Sequence, residues 1–270
     1  MPVNVPYYLA NPSTVSLGNF NGGAFVPVVA AGPHRIYTAA NCRVNLNPTV
    51  NHGVGIEGIT SLNPQAVPGG DTYFLPFATN EICSLVLPAP GGVGNPTGFL
   101  TTNLSGCKVF VDTIPAVPGS IVVYHANNEA NAPPRPFSGQ IPTLELLPCT
   151  QELTRLHTQA RANLAGAPHN LVLGAVGAGA SVAKPTYNAG AMTEVNRKLG
   201  QNRTNVEFTG GTVVFGVVNG AAWELYWATY GSCEYDRPGK APKGWFGHGH
   251  RSPTQSDAPN YRVLGSARFY

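Results

Sequence analysis

A thiol and an imidazole stand close enough together in this sequence to act as a pair. Leu104-Ser105-Gly106-Cys107 is followed, one apolar run later, by Tyr124-His125. A free thiol has a pKa near about 8.5 and is mostly protonated at neutral pH, whereas an adjacent imidazole can hold it as thiolate. The thiolate then attacks a carbonyl or carboxamide carbon. Gly106 removes a side chain from the approach path, and backbone N–H groups around Cys107 are candidates for an oxyanion site.

Strands must position both groups. Cys107-Lys108-Val109-Phe110-Val111 and Ile121-Val122-Val123-Tyr124-His125 are β-rich runs joined by residues 112–120, a turn segment holding Pro115, Pro118 and Gly119. If the two runs pair antiparallel about a connection centred near Ala116, Val111 opposes Ile121, Val109 opposes Val123 and Cys107 opposes His125. Directly opposed Cβ atoms are about 4.5–5.5 Å apart, near enough for contact between sulfur and imidazole. A slip of one residue would send the two side chains to opposite faces.

The rest of the chain reads as a scaffold. Of its 270 residues, 32 are Gly and 25 Pro, only 11% are charged, and Val, Thr, Tyr and Phe are plentiful, which describes a loop-rich, sheet-based protein. The length suits one large domain, and residues 1–270 are read as a single catalytic domain because no second core stands out before the linker-like Pro88–Pro96 stretch. A net charge of +3 with scattered basic residues does not favour nucleic acid. No apolar run approaches the roughly 18–20 residues of a membrane helix, and the N-terminal residues lack a basic n-region and an h-region. The expectation is a soluble chain with no recognisable secretory signal and no membrane partner.

Short apolar stretches at Ala24–Val29, Arg35–Thr38 and Glu81–Leu87 read as strands, with surface connections at Pro64–Asp71 and Pro88–Pro96. Leu153, Leu156, Ala160 and Leu164 recur at helical spacing, with Thr150 as N-cap and Gly166-Ala167-Pro168 as the stop. A shorter helix is predicted over Ala191–Leu199. Thr212–Val218 and Ala221–Tyr230 flank Asn219-Gly220, the signature of a two-residue hairpin turn, and alternation puts Trp223, Leu225 and Trp227 on a buried face. A last strand covers Tyr261–Tyr270.

Other reactive residues have plainer readings. Cys42, Cys83, Cys149 and Cys233 form no CxxC pair and read as small buried hydrophobes, while an odd count of five leaves at least one free thiol. His248 and His250 share one face of an extended segment but have no acidic or thiol partner at metal-site spacing, so a glycine-rich loop is favoured over a metal site. His34, His52, His157 and His169 read as surface or structural residues, and no acidic pair suggests a glycosidase.

Thr101-Thr102-Asn103-Leu104-Ser105-Gly106-Cys107, then a strand, then Val123-Tyr124-His125, resembles the active-site segment of the cytotoxic necrotizing factor catalytic domains and Burkholderia lethal factor. In that family the LSGC motif carries the nucleophile of a protein glutamine deamidase. The resemblance covers residues 101–125. It implies an α+β fold, a β-sandwich-like core of mixed and antiparallel sheets with a few surrounding helices and long loops. It also implies a Cys107–His125 pair whose imidazole is oriented by a main-chain carbonyl, with Thr101 the best positional match and Thr102 and Asn103 weaker ones. No metal or organic cofactor is needed. The implied partner is a host protein bearing a reactive glutamine, such as a GTPase or a translation factor, met in the host cytosol by a delivered effector.

The same pair would serve a transglutaminase, if an amine outcompetes water, or a cysteine protease. From another class altogether comes a non-catalytic β-sandwich binding module, in which Cys107 is a buried thiol and His125 a core imidazole.

Overall fold

The computed structural model describes residues 15–17, 25–51, 59–104, 106–128, 143–176, 179–187, 189, 207–236, 254–256 and 262–270. The expected helix at Ala191–Leu199, Cys233's side chain, His52, His248 and His250 lie outside the described residues.

Two mixed sheets pack face to face, the sandwich-like architecture expected. The larger sheet runs in the order β1 (Val15–Leu17), β5 (Ile59–Ala66), β4 (Arg43–Asn51), β6 (Thr72–Leu75), β8 (Gly98–Thr101), β12 (Glu207–Asn219), β13 (Ala222–Asp236) and β14 (Thr254–Ser256), with β15 (Arg262–Arg268) also on β13. The smaller runs β11 (Ser181–Ala183), β9 (Lys108–Thr113), β10 (Ile121–Ala126), β7 (Ile82–Leu87), β3 (His34–Tyr37) and β2 (Val29–Ala31).

Alternation along β7, β9 and β10 sends one set of side chains into the sandwich and the other outward. Leu85, Leu87, Val109, Val111, Ile121 and Val123 face the larger sheet, meeting Tyr73, Leu100, Phe215, Trp223 and Leu225 in the main core. Ile82, Phe110, Val122 and Tyr124 point the other way, against helix α1 (Thr143–Ala165). With both faces covered, all six residues of β10 are buried, which is why Ile121–His125 reads as an unbroken apolar run.

Helix α1 buries the predicted stripe of Leu153, Leu156, Ala160 and Leu164 on the smaller sheet, each no more than 3% exposed. It begins at Thr143 and not at Thr150, so Thr150 is an interior residue whose carbonyl accepts the Thr154 hydroxyl. The helix takes in Pro148 near its beginning, where a proline forfeits one i to i−4 hydrogen bond.

The hairpin forms, one residue displaced. Asn219 pairs with Ala222, so the turn is Gly220-Ala221 with φ of +60° at Gly220, the pattern of a turn that needs glycine at its first central position. Asn219 is drawn into the ladder by its side chain, which donates to Glu224 at 2.9 Å, and Glu224 also accepts the Tyr226 hydroxyl and pairs with Arg268. Trp223, Leu225 and Trp227 are buried as expected. β15 answers the last predicted strand. Of the Ala24–Val29 stretch, by contrast, the described residues 25–29 contribute only Val29 to a strand, and Pro64–Ala66 closes β5 before the turn begins.

Candidate active site

Cys107 lies where the chain crosses between the sheets. Leu104 bridges to Thr212 of the larger sheet, its N–H donating to the Thr212 carbonyl at 2.6 Å, and four residues later Lys108 opens β9 in the smaller. The thiol therefore sits at the end of β9, pointing into the sandwich and 2% exposed. A Cβ built on Gly106 would meet nothing within 4 Å, so the position before the thiol is open.

His125 is on the same inner face, but its register differs from the one expected. It opposes Val109 on β9, and Val123 opposes Val111, a shift of two residues from a Cys107–His125 pair. The strands run on to Thr113 and resume at Ile121, so the connection is centred on Val117 and not Ala116. An even shift preserves the face. Cys107 and His125 are consequently diagonal neighbours, at a Cα spacing class of about 7–8 Å for i, j±2 positions. On its other side His125 opposes Cys83 of β7.

The imidazole is completely inaccessible, and neither ring nitrogen has a hydrogen-bond partner. Burial lowers its pKa to about 3, so it is neutral at physiological pH. Its ring neighbour is Phe77, centroid to centroid 6.1 Å, a side chain that is itself 37% exposed. Cys83 is no rival nucleophile, because burial above all pushes its thiol up to about 12. Cys42 is raised to about 12 by the same cause, and Cys149 is also raised. All three are free and buried, as read from the sequence.

The sulfur of Cys107 accepts a hydrogen bond from Nδ2 of Asn127 at 3.1 Å. Extending the β9–β10 ladder one step past Lys108 and Ala126 sets these two residues opposite each other. The Asn127 amide is oriented at its other end by the Asn80 backbone N–H, which donates to Oδ1 at 3.1 Å, while the Asn127 N–H donates to the Glu81 carbonyl. Tyr187, in a helical turn at 184–187, is buried, and its hydroxyl pKa is pushed well up by burial and then by the nearby Cys107 and Cys149 thiols. Sequence reasoning missed both residues. Asn127 shares the parity of His125, and a turn centred one residue later would have found it.

Thr101 ends β8 and is fully buried. Its hydroxyl accepts the Val214 N–H at 3.1 Å and donates to the Thr102 carbonyl at 2.9 Å, tying β8 to β12. Thr102 bonds to the Leu75 carbonyl through both its N–H and its hydroxyl. No carbonyl of Thr101, Thr102 or Asn103 bonds the imidazole, since both its nitrogens are unpartnered.

Two other histidines are structural and buried. His157 of α1 bonds Asp112 at 3.1 Å, stacks on Phe110 at 4.1 Å and meets Tyr124 edge-on, with Arg161 2.5 Å from the same carboxylate. Burial pushes Asp112 up, but the hydrogen bond from His157, the nearby Arg161 guanidinium and the Tyr124 hydroxyl outweigh it and hold the carboxyl low. His34 touches the Ser84 hydroxyl at 2.8 Å and the Asn163 amide at 3.3 Å, and burial with His169 nearby lowers it to about 4. Among the described residues there is no cluster of three or more His, Cys, Asp or Glu suited to a metal, and no helix is long and apolar enough to cross a membrane.

No protein-family model and no curated protein matches the chain.

Proposed function

We propose that this chain is a cysteine-dependent protein glutamine deamidase. The observation carrying the reading is His125, a buried imidazole with two unsatisfied nitrogens on the same inner face as Cys107. An unpaired polar group in a core costs stability, and a fold that keeps one beside a thiol keeps it at a cost an apolar residue would avoid. The LSGC-type segment and the two-sheet fold agree with that reading.

In the reaction, the Cys107 thiolate attacks the carboxamide carbon of a target glutamine, forming a C–S bond as the C=O electron pair moves to oxygen. His125, protonated by the thiol, gives that proton to the departing nitrogen as the C–N bond breaks. Ammonia leaves, and a thioester remains. Water then adds to the thioester carbon, His125 takes its proton, and the C–S bond breaks to leave glutamate and the thiolate, which recovers the proton. The imidazole has to leave its unbonded setting for this, and contact with the thiolate raises its pKa into the working range. Cys107 likewise has to be exposed to the substrate.

A second reading has its own support. Complete burial of His125 together with 2% exposure of Cys107 suits a β-sandwich binding module whose thiol and imidazole are core residues. Treating a host-cell lysate with wild type and with Cys107→Ser, then mapping Gln-to-Glu conversions by mass spectrometry, separates the two. The deamidase reading expects conversions that require Cys107 at unchanged chain length. Chain cleavage points to a protease, amine incorporation to a transglutaminase, and no Cys107-dependent change to the module.

A further inference from the structure

The geometry points to Asn127 as a third member of the reactive group, one whose side-chain N–H binds the Cys107 sulfur and favours its thiolate; this rests on Cys107 being the nucleophile. Three observations carry it. The donor lies 3.1 Å from Sγ, and an N–H aimed at sulfur interacts more strongly with the anion than with the neutral thiol. The direction of the amide is fixed, because a backbone N–H at Asn80 can only donate and so must face Oδ1, leaving Nδ2 for the sulfur. The residue is 3% exposed and its own N–H is anchored to Glu81, so the donor is held in place before any substrate arrives.

The division of labour follows from the ladder. Asn127 stands opposite Cys107 and keeps the thiolate available, whereas diagonal His125 is left free of hydrogen bonds to move protons. Among the described residues, the titratable groups near the sulfur include Tyr187 from the 184–187 turn, which also neighbours Cys149 of α1, and the diagonal His125 of β10, while Lys184 lies by Cys149. The larger sheet contributes a mostly apolar core that also holds the Tyr73 phenol.

Asn127→Asp retains an oxygen for the Asn80 N–H but replaces the donor to sulfur with a charged acceptor, and Asn127→Ala removes the donor without adding charge, so a raised midpoint in both variants is the discriminating result. The rate of iodoacetamide alkylation of the Cys107 peptide is measured by mass spectrometry from pH 5 to 10 in the full chain, for wild type, Asn127→Asp, Asn127→Ala and His125→Ala. The expected result is a thiolate midpoint raised by at least one pH unit in both Asn127 variants, with a fall of about tenfold in rate below the midpoint. A change of accessibility alone scales the rates at every pH and leaves the midpoint where it was. An unchanged or lowered midpoint in either Asn127 variant overturns the inference. The readout needs no glutamine substrate, so a lysate without deamidation leaves this outcome interpretable.

Discussion

Asn127 Nδ2 reaches Cys107 Sγ at 3.1 Å from the position directly across the β9–β10 ladder, while His125 stands two residues further in and opposes Val109. Thiol and imidazole therefore share a face without sharing a rung. The arrangement separates a sulfur that is already engaged from a ring that is not.

His125→Leu should stabilise the fold. Replacing an imidazole with two unpartnered nitrogens by an apolar side chain removes the desolvation cost, and a gain of about 1–2 kcal/mol in urea unfolding at pH 7 is the expected outcome. The same variant should lose all Cys107-dependent chemistry. A loss of stability in His125→Leu would mean that the ring makes favourable contacts worth more than its missing bonds.

Acid should weaken the protein well before carboxylates titrate. Burial lowers His125 to about 3 and, with His169, His34 to about 4, against an ordinary value of 6.5. Below pH 6.5 the unfolded chain takes up two protons that the native chain refuses. The stability contribution is therefore whole above pH 6.5 and is lost as pH falls towards 4, at up to about 1.4 kcal/mol per pH unit for each ring. Urea midpoints between pH 7.5 and 4.5 test this, and His125→Leu should show a shallower slope than wild type.

Phe77 is the cover over the imidazole that also meets solvent, being 37% exposed with its ring 6.1 Å from that of His125. In Phe77→Ala water gains access to the ring. The His125 pKa should then move up towards 6.5, followed by its NMR ring-proton shifts against pH, and alkylation of Cys107 should quicken several-fold. Ring shifts that still do not titrate above pH 4 would show that other groups seal the site.

Asp112→Ala should cost about 3–5 kcal/mol of folding stability, since it leaves Arg161 and His157 facing a buried position without their carboxylate. Thermal or urea unfolding measures it. Alkylation of Cys107 at pH 7 under native conditions should stay within about twofold of wild type, because Asp112 lies on the outer face of the smaller sheet and the thiol on the inner one.

The strands around Cys107 and His125 are legible because β-branched and apolar runs between prolines and glycines can hardly be anything else. Their rung is not. A seven-residue connection tolerates more than one centre, and the one adopted leaves Ile114 packed in the cluster with α1, a contact that lies outside the local sequence. Asn219 moved the hairpin turn in the same way, through a cross-strand bond to Glu224. Asn127 carries no signal of its own, being one asparagine of several near turns, and becomes visible only once the rung is known. His34 and His157 are structural as read, but their partners Ser84, Asn163 and Asp112 come from distant parts of the chain.

β8, the strand that leads into the thiol segment, lies between β6 and β12 and is tied to β12 by the Thr101–Val214 bond, which joins residues 113 apart. Leu104 hangs on Thr212 across a similar span. Closing so long a loop is slow relative to forming the local β9–β10 hairpin, because its entropy is lost before the contacts repay it. During synthesis Cys107 and His125 leave the ribosome well ahead of β12, and until that strand arrives the crossing between the sheets has nothing to hang on. The surroundings of Cys107 are thus completed by the last quarter of the chain: in a ribosome-bound intermediate halted before Glu207, Asn127 and His125 are already present, while the Thr101–Val214 and Leu104–Thr212 ties to the larger sheet are not.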